Sequence, residues 1–400
     1  MTDSTLGAEF VLLLTTDQMM DEIRLHGHLI DHPLSRSQLN TPALIVKRDA
    51  LERNIGSMAA FCRDKQVQLR PHAKTHKCVE IAQRQLEAGA IGICCAKLGE
   101  AEALAEGGLA SSILLTSPIV SAPAIARLVA LQSYAADLMC VVDHPSNVQT
   151  LDRAFSKAGR TLQVLIDIDP GFQRTGVASA EAAVGLLRAI EAAPALRLVG
   201  VQFYCGQHQH IRSFEDRRVS VTERVAFAKD IVAALRGAGA PIGVITGGGT
   251  GTHRIDAELA FFTELQAGSY IFMDNEYLEC DLVGDGSGSP FQISLFVDAT
   301  VISANTPGRV TIDAGIKALA TDAGIPAVAA GAPCEACYQF MGDEHGALVL
   351  EGDTLPALGE RVTLVTSHCD PTVNLHAAFH VVSGDTLVAL WPISARGRSR

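Results

Sequence analysis

The chain has 400 residues, enough for two domains or for one large barrel with an attachment. Hydrophobic residues make up 48% and charged ones 19%, the balance of a globular enzyme, which excludes wholesale disorder. A net charge of −12 argues against a nucleic-acid partner, although a local positive pocket on an acidic protein can still take an anion.

No apolar stretch approaches the ~18 residues needed to span a bilayer. The early run Phe10–Leu14 is short and follows Asp3 and Glu9 rather than lysines or arginines. The expected location is therefore the cytoplasm, with no membrane partner. The ten cysteines lack the spacing of small secreted proteins, so reduced thiols are expected. Cys334 and Cys337 form a CxxC without a second pair, too little for a zinc or redox assignment.

In chain order, Ala43–Val46 is an extra strand, and Asp49 is placed to cap a helix over Ala50–Phe61. Eight β-rich runs follow: Val67–Arg70, Ile91–Cys95, Ile113–Thr116, Leu138–Val142, Leu162–Asp167, Leu198–Phe203, Ile242–Thr246 and Phe262–Leu265. Between them lie helical segments such as Cys78–Glu87, Ala122–Gln132, Ala180–Glu191 and Val219–Leu235. Ser179 can cap the third of these, and Gly89 and Gly237 follow helical stretches where a left-handed residue is useful. Eight strands alternating with helices predict an α/β fold, a (β/α)8 barrel over residues 47–280. After the turn-rich Gly284–Pro290 the pattern becomes purely β: Gln292–Ile302, Arg309–Ile312, Ala347–Leu350, Arg361–Val365, His380–Ser383 and Thr386–Leu390. This predicts a second, all-β domain over 281–400.

Four motifs carry chemistry. Residues 70–77 read Arg-Pro-His-Ala-Lys-Thr-His-Lys, with Lys74 between His72 and His76 at the end of the first strand. Covalent chemistry at a lysine requires a free amine, and cationic neighbours with partial burial would lower its pKa. Glycine loops, Thr246–Thr250 and Gln266–Tyr270, follow the seventh and eighth strands, where (β/α)8 barrels commonly hold phosphate. Backbone N–H groups of Gly248 and Gly249, with hydroxyls of Thr246, Ser269 and Tyr270, are the expected donors. Asp169–Val177 follows the fifth strand and carries Arg174, charged at any relevant pH. Ser367–His376 contains His368 and Asp370; on an extended segment, alternate residues share a face, and imidazole plus carboxylate suits Mn²⁺, Zn²⁺ or Mg²⁺.

The octapeptide resembles the Schiff-base lysine segment of the D-threonine aldolase and D-serine dehydratase family, pyridoxal-phosphate (PLP) enzymes of the alanine-racemase-like fold. The likeness runs through Asp167–Val177, Phe203–His208, Thr246–Gly249, Glu264–Asp274 and Ser367–His376. It implies that Lys74 is the cofactor lysine, with His72, Arg174 and Tyr204 around the cofactor and His208 near the substrate hydroxyl. It implies a metal at His368 and Asp370, a segment 1–46 that joins the β domain, and a homodimer in which one β domain covers the partner's barrel mouth. Dehydratase members have cysteine two residues after the histidine and aldolase members aspartate, so Asp370 points to the aldolase, with Cys369 one position out of phase. The expected reaction is cleavage of a D-β-hydroxy-α-amino acid to glycine and an aldehyde. The alternatives are dehydration of a D-hydroxyamino acid and, in another class, a PLP-binding protein without turnover.

Overall fold

The computed structural model describes residues 34–351 and 355–400 throughout, together with the backbone of an antiparallel pair, Ile23–Leu25 and His28–Ile30. The run Phe10–Leu14 lies outside the described residues. Eight parallel strands form one curled sheet: Gln68–Leu69, Ile93–Cys95, Ile113–Leu115, Met139–Val142, Leu162–Asp167, Leu196–Phe203, Val244–Gly247 and Glu264–Leu265. They are called first to eighth below. Neighbours in the sheet are neighbours in sequence, except that the first strand pairs with the eighth. The ring closes where Ile91 N–H donates to Leu69 O and Cys94 N–H to Pro71 O, both at 2.9 Å. The first strand stops at Leu69, two residues from Pro71, which has no N–H for the ladder.

The helices cover the barrel by apolar faces of period 3.6. In Ala180–Glu191 the buried residues are Ala183, Leu186, Leu187 and Ile190, on one stripe, each leucine or isoleucine stabilising by about 1.5–3 kcal/mol. Ser179 caps this helix by accepting the Ala182 N–H at 3.1 Å. Asp49, by contrast, is not a cap: Lys47 holds that position, and Asp49 lies in the first turn, where its charge meets the helix dipole. Gly237 ends the helix Phe214–Gly237 without leaving helical geometry, and Gly239 (φ +94°) takes the left-handed turn. That helix starts at Phe214, five residues before the expected Val219, because Ser213 caps it by accepting the Asp216 N–H.

The second unit is a nine-stranded sheet in which Ala43–Lys47 runs between Leu295–Thr306, antiparallel, and Ala378–Ser383, parallel. Two of its strands, Ala327–Ala330 and Cys337–Phe340, were not expected from the sequence; the first has little of the β-branched character that marks strands. Among the described residues no helix is long and apolar enough to cross a membrane. All ten cysteines are free thiols.

Arg70 turns out to be a structural residue at the barrel seam. Its guanidinium makes a fork with the Glu264 carboxylate at 2.8 and 3.0 Å and reaches Ser112 O at 2.6 Å, bridging the ends of the first and eighth strands. Both side chains are about 95% buried, at 5% and 4% exposure. Arg70→Met would leave Glu264 buried without its partner, so it should destabilise the fold by roughly 3–5 kcal/mol, read as a lowered guanidinium midpoint.

Candidate active site

Lys74 lies on a 3-10 turn, Ala73–Thr75, directly after the first strand. His72 caps the turn: its Nδ1 accepts the Lys74 N–H at 3.3 Å, which leaves Nε2 to donate to Thr116 Oγ1 at 3.1 Å. His76 likewise accepts the Cys78 N–H through Nδ1. Both imidazoles are neutral, because burial pushes their pKa values down to about 3 and about 4. They are therefore not the cationic neighbours that the octapeptide suggests. The Lys74 pKa is raised rather than lowered, above all by the Asp370 carboxylate, whose Oδ2 lies 2.7 Å from Nζ. A carboxylate 296 residues away in sequence decides the sign.

Asp370 comes from the β domain of the same chain, on a short helix Cys369–Leu375. His368 is the N-cap of that helix, Asp370 lies in its first turn, and Pro371 follows where a missing N–H costs nothing. The extended, alternate-residue geometry expected for this pair is therefore not what is found. Burial works against the Asp370 charge, but Lys74 and His368 hold its pKa well below the usual carboxylate range. His368 is drawn the other way: burial disfavours its cation, yet Asp370 and Asp322 raise its pKa. Asp274 anchors the helix by accepting the Cys369 N–H at 2.9 Å. The Cys369 thiol is buried and its pKa pushed up, so it stays protonated, and it points to Asp370 Oδ1 at 3.4 Å. Among the described residues no three His, Cys, Asp or Glu side chains are grouped to hold a metal. His368 and Asp370 would supply two ligands, and a divalent ion there would need its other positions filled by water or substrate.

A polar chain links the C-terminal ends of the eighth, seventh, sixth and fifth strands. Gln266 donates to Thr246 Oγ1 (3.0 Å) and Gln202 Oε1 (3.2 Å), and Gln202 donates to Asp167 Oδ1 (2.9 Å) and Thr116 O (3.1 Å). Burial raises the Asp167 pKa to about 6. Arg174 lies beside this chain with its guanidinium 5.9 Å from the Tyr204 ring centre and 5.5 Å from that of Phe172. Its loop is held by Asp169, whose Oδ1 accepts the N–H groups of Gly171, Phe172 and Gln173 at 2.8–3.0 Å. Gly176 closes the loop at φ +103°, where a Cβ would come within 2.4 Å of Asp169 N. Tyr204 is close enough to Lys74 to add to the raising of its pKa.

The two glycine loops touch through Thr250 Oγ1, which accepts the Tyr270 N–H at 3.0 Å. Gly249 N–H is taken by Thr252 Oγ1, whose own hydrogen goes to Asp256 at 2.5 Å. The N–H groups of Gly248, Gly268 and Ser269 have no acceptor among the described residues. A Cβ on Gly248 (φ +67°) would meet Asp256 Oδ2 at 2.4 Å, and one on Gly268 would meet Thr75 Oγ1 at 2.6 Å. Closely packed glycines with unspent N–H donors beside a lysine suit a phosphate-bearing aldehyde. The Tyr270 hydroxyl is buried against Gln85, accepting from its Nε2 at 3.0 Å, so packing turns it toward the helix Val79–Glu87. Thr246 keeps its hydroxyl hydrogen free while accepting from Gln266.

His208 does not face the Lys74–Asp370 pair. Its Nε2 is 3.4 Å from Ser220 Oγ on the helix Phe214–Gly237, and Arg224 is its charged neighbour. The histidine at the site is His210, within electrostatic reach of His368, Lys74 and Asp370. Burial first, then His368, lowers its pKa to about 4, so it is a neutral imidazole able to take a proton. Its Nε2 lies 3.8 Å from Glu276 and its ring 4.4 Å from that of Tyr277. The sequence Gln207-His-Gln-His offers two histidines, and only the turn Gly206–His208 decides which points inward. Glu276, Gln202 and Asp322 were also not singled out in sequence, since each lacks a motif of its own.

A lysine after the first strand, phosphate-suited loops after the last two, and a β domain reaching into the mouth fit a fold-type III PLP enzyme. Residues 46–276 match the alanine racemase N-terminal domain, and 294–382 a serine dehydratase domain. The chain is 39% identical to a D-threonine aldolase from Arthrobacter sp., over 92% of this chain and 95% of that one. It is 36% identical to a 3-hydroxy-D-aspartate aldolase of Paracoccus denitrificans (strain Pd 1222), over 91% and 94%. The crystal structure of a D-threonine aldolase from Filomicrobium marinum superposes with a TM-score of 0.88 at 37% identity, covering 92% of this chain and 99% of that one. The chain belongs to the alanine racemase-like family, in the branch of the D-threonine and 3-hydroxy-D-aspartate aldolases, and the cofactor of that family is PLP.

Proposed function

We propose that the protein is a PLP- and divalent-metal-dependent aldolase that cleaves D-β-hydroxy-α-amino acids to glycine and an aldehyde. The observation that carries this reading is the 2.7 Å contact between Lys74 Nζ and Asp370, with neutral His210 close by. It brings a lysine, one half of a metal-binding pair and a proton acceptor to one point. Lys74 would hold PLP, with the N–H groups of Gly248, Gly268 and Ser269 as donors to its phosphate, and the cofactor would supply the sink for the electron pair left on Cα. His368 and Asp370 would hold a divalent ion, whose charge would lower the pKa of the substrate hydroxyl.

His210 accepts the hydroxyl proton. The C–O bond then becomes a carbonyl as the Cα–Cβ bond breaks, the aldehyde departs, and Cα takes a proton from solvent to give glycine while His210 returns the hydroxyl proton to solvent. Arg174 and Tyr204, 5.9 Å apart, would flank the cofactor, and the Gln202–Gln266 hydrogen bond keeps the neighbouring polar side chains in place. The dehydratases, which are more distant relatives, would instead lose the hydroxyl and yield ammonia and a keto acid.

The test is product analysis with PLP, Mn²⁺ and D-threonine. Glycine and acetaldehyde in equal amounts are expected; ammonia and a keto acid would overturn the aldolase reading. His210→Ala should lower kcat by about 10²–10⁴, the usual worth of a general base. His208→Ala should change it only a few-fold, since His208 faces Ser220. We further propose a homodimer, which light scattering of the holoenzyme would report as twice the chain mass. The Lys74–Asp370 pair itself is complete within one chain.

A further inference from the structure

Asp322 is half exposed and belongs to none of the motifs above, yet its Oδ2 accepts the Nδ1 proton of His368 at 2.7 Å. This contact is built into the β domain. The segment carrying Asp322 is tied to the His368 segment two residues away: Ala320 N–H donates to Thr372 Oγ1 at 3.1 Å, and Ser367 Oγ donates to Ala320 O at 3.1 Å. Thr372 Oγ1 in turn donates to His368 O at 2.8 Å, so one hydroxyl spans both strands of the contact. Further along, His376 Nε2 donates to Ala318 O at 2.8 Å, and Asn275 Nδ2 donates to Ile325 O at 3.2 Å. The turn bearing Asp322 is therefore tethered on both sides, and its carboxylate is held at the imidazole.

A histidine coordinates a metal through an unprotonated nitrogen, and the partner of its other nitrogen selects which one that is. We infer that Asp322 is a positioning residue, which holds the proton of His368 on Nδ1 and so presents Nε2 as the metal-binding nitrogen. The inference rests on the reading that His368 and Asp370 hold the divalent ion. It adds a residue that neither the likeness to known proteins nor any sequence motif marks.

The test is direct Mn²⁺ binding to the PLP-loaded, full-length protein, with free Mn²⁺ quantified by electron paramagnetic resonance. Asp322→Ala should weaken binding by about 10–100-fold, the usual loss when the partner of a ligating histidine is removed. Asp322→Asn should lose less, because its amide oxygen can still accept from Nδ1. The cofactor absorption band and the thermal midpoint should stay near those of the native protein in both. If Asp322→Ala does not fold, Asp322→Ser, also too short to reach Nδ1, takes its place with the same expected loss. Native Mn²⁺ affinity in the Ala or Ser variant, or an Asn variant no better than Ala, would overturn the positioning role. His368→Ala separates the two layers: it should bind Mn²⁺ most weakly of all, and if it binds as the native protein does, the metal reading itself fails.

Discussion

Lys74→Ala should abolish the borohydride-reducible absorption band of the PLP-loaded protein and lower turnover by roughly 10⁴-fold or more, a loss of the order seen when a covalent residue is removed. The reason is chemical as well as positional. Lys74 is the lysine at the mouth of the barrel within reach of the glycine loops, and an amine is required to join the cofactor aldehyde. No neighbour can replace it. Lys77, the nearest other lysine in the segment, is buried with Nζ bound to Asn374 at 3.0 Å and Ser399 at 3.1 Å, and it lies 3.4 Å from Glu100. Absorbance before and after borohydride, with a steady-state assay on the same samples, decides the matter. A variant that keeps both band and turnover would remove Lys74 from the chemistry.

Asp370→Asn should reduce turnover by at least about 100-fold, beyond the 10–100-fold that follows loss of an outer partner of a metal ligand. The cofactor band should survive. Asp370 raises the pKa of Lys74, so its removal makes the free amine easier to form and does not hinder attachment of the aldehyde. The variant thus separates two roles that share one 2.7 Å contact. Chelation of the native protein by EDTA should give the same phenotype, with activity returning on addition of Mn²⁺. An unchanged rate after chelation would leave Asp370 as no more than the counter-ion of Lys74.

Much of the barrel was legible in the chain itself. Eight short apolar runs separated by helical stripes of period 3.6 are a local pattern, and each strand was placed to within a few residues. The same holds for the lysine segment and the glycine loops, whose meaning follows from their order along a (β/α)8 fold. Capping was read less well. Asp49 and Gly237 are plausible cap residues by type, but the neighbouring Lys47 and Gly239 hold the positions, because helix ends depend on the last turn of backbone and not on residue type alone.

The electrostatics could not be read that way. His72 and His76 look like cations in sequence, and burial makes them neutral; Lys74 looks activated, and Asp370 makes it a stable ammonium. Packing also sets the Tyr270 hydroxyl against Gln85, a partner that no sequence pattern marks. His208 and His210 are equivalent on paper, and a single 3-10 turn sends one to Ser220 and the other toward His368 and Asp370. The sequence by itself determined which chemical groups are present and the order in which a barrel must display them, since periodicity and turn chemistry act over a few residues. Only the tertiary structure decided which of those groups meet, because burial and charge pairing depend on neighbours distant in sequence, such as Asp370, 296 residues from Lys74, and Asp322, 46 residues from His368.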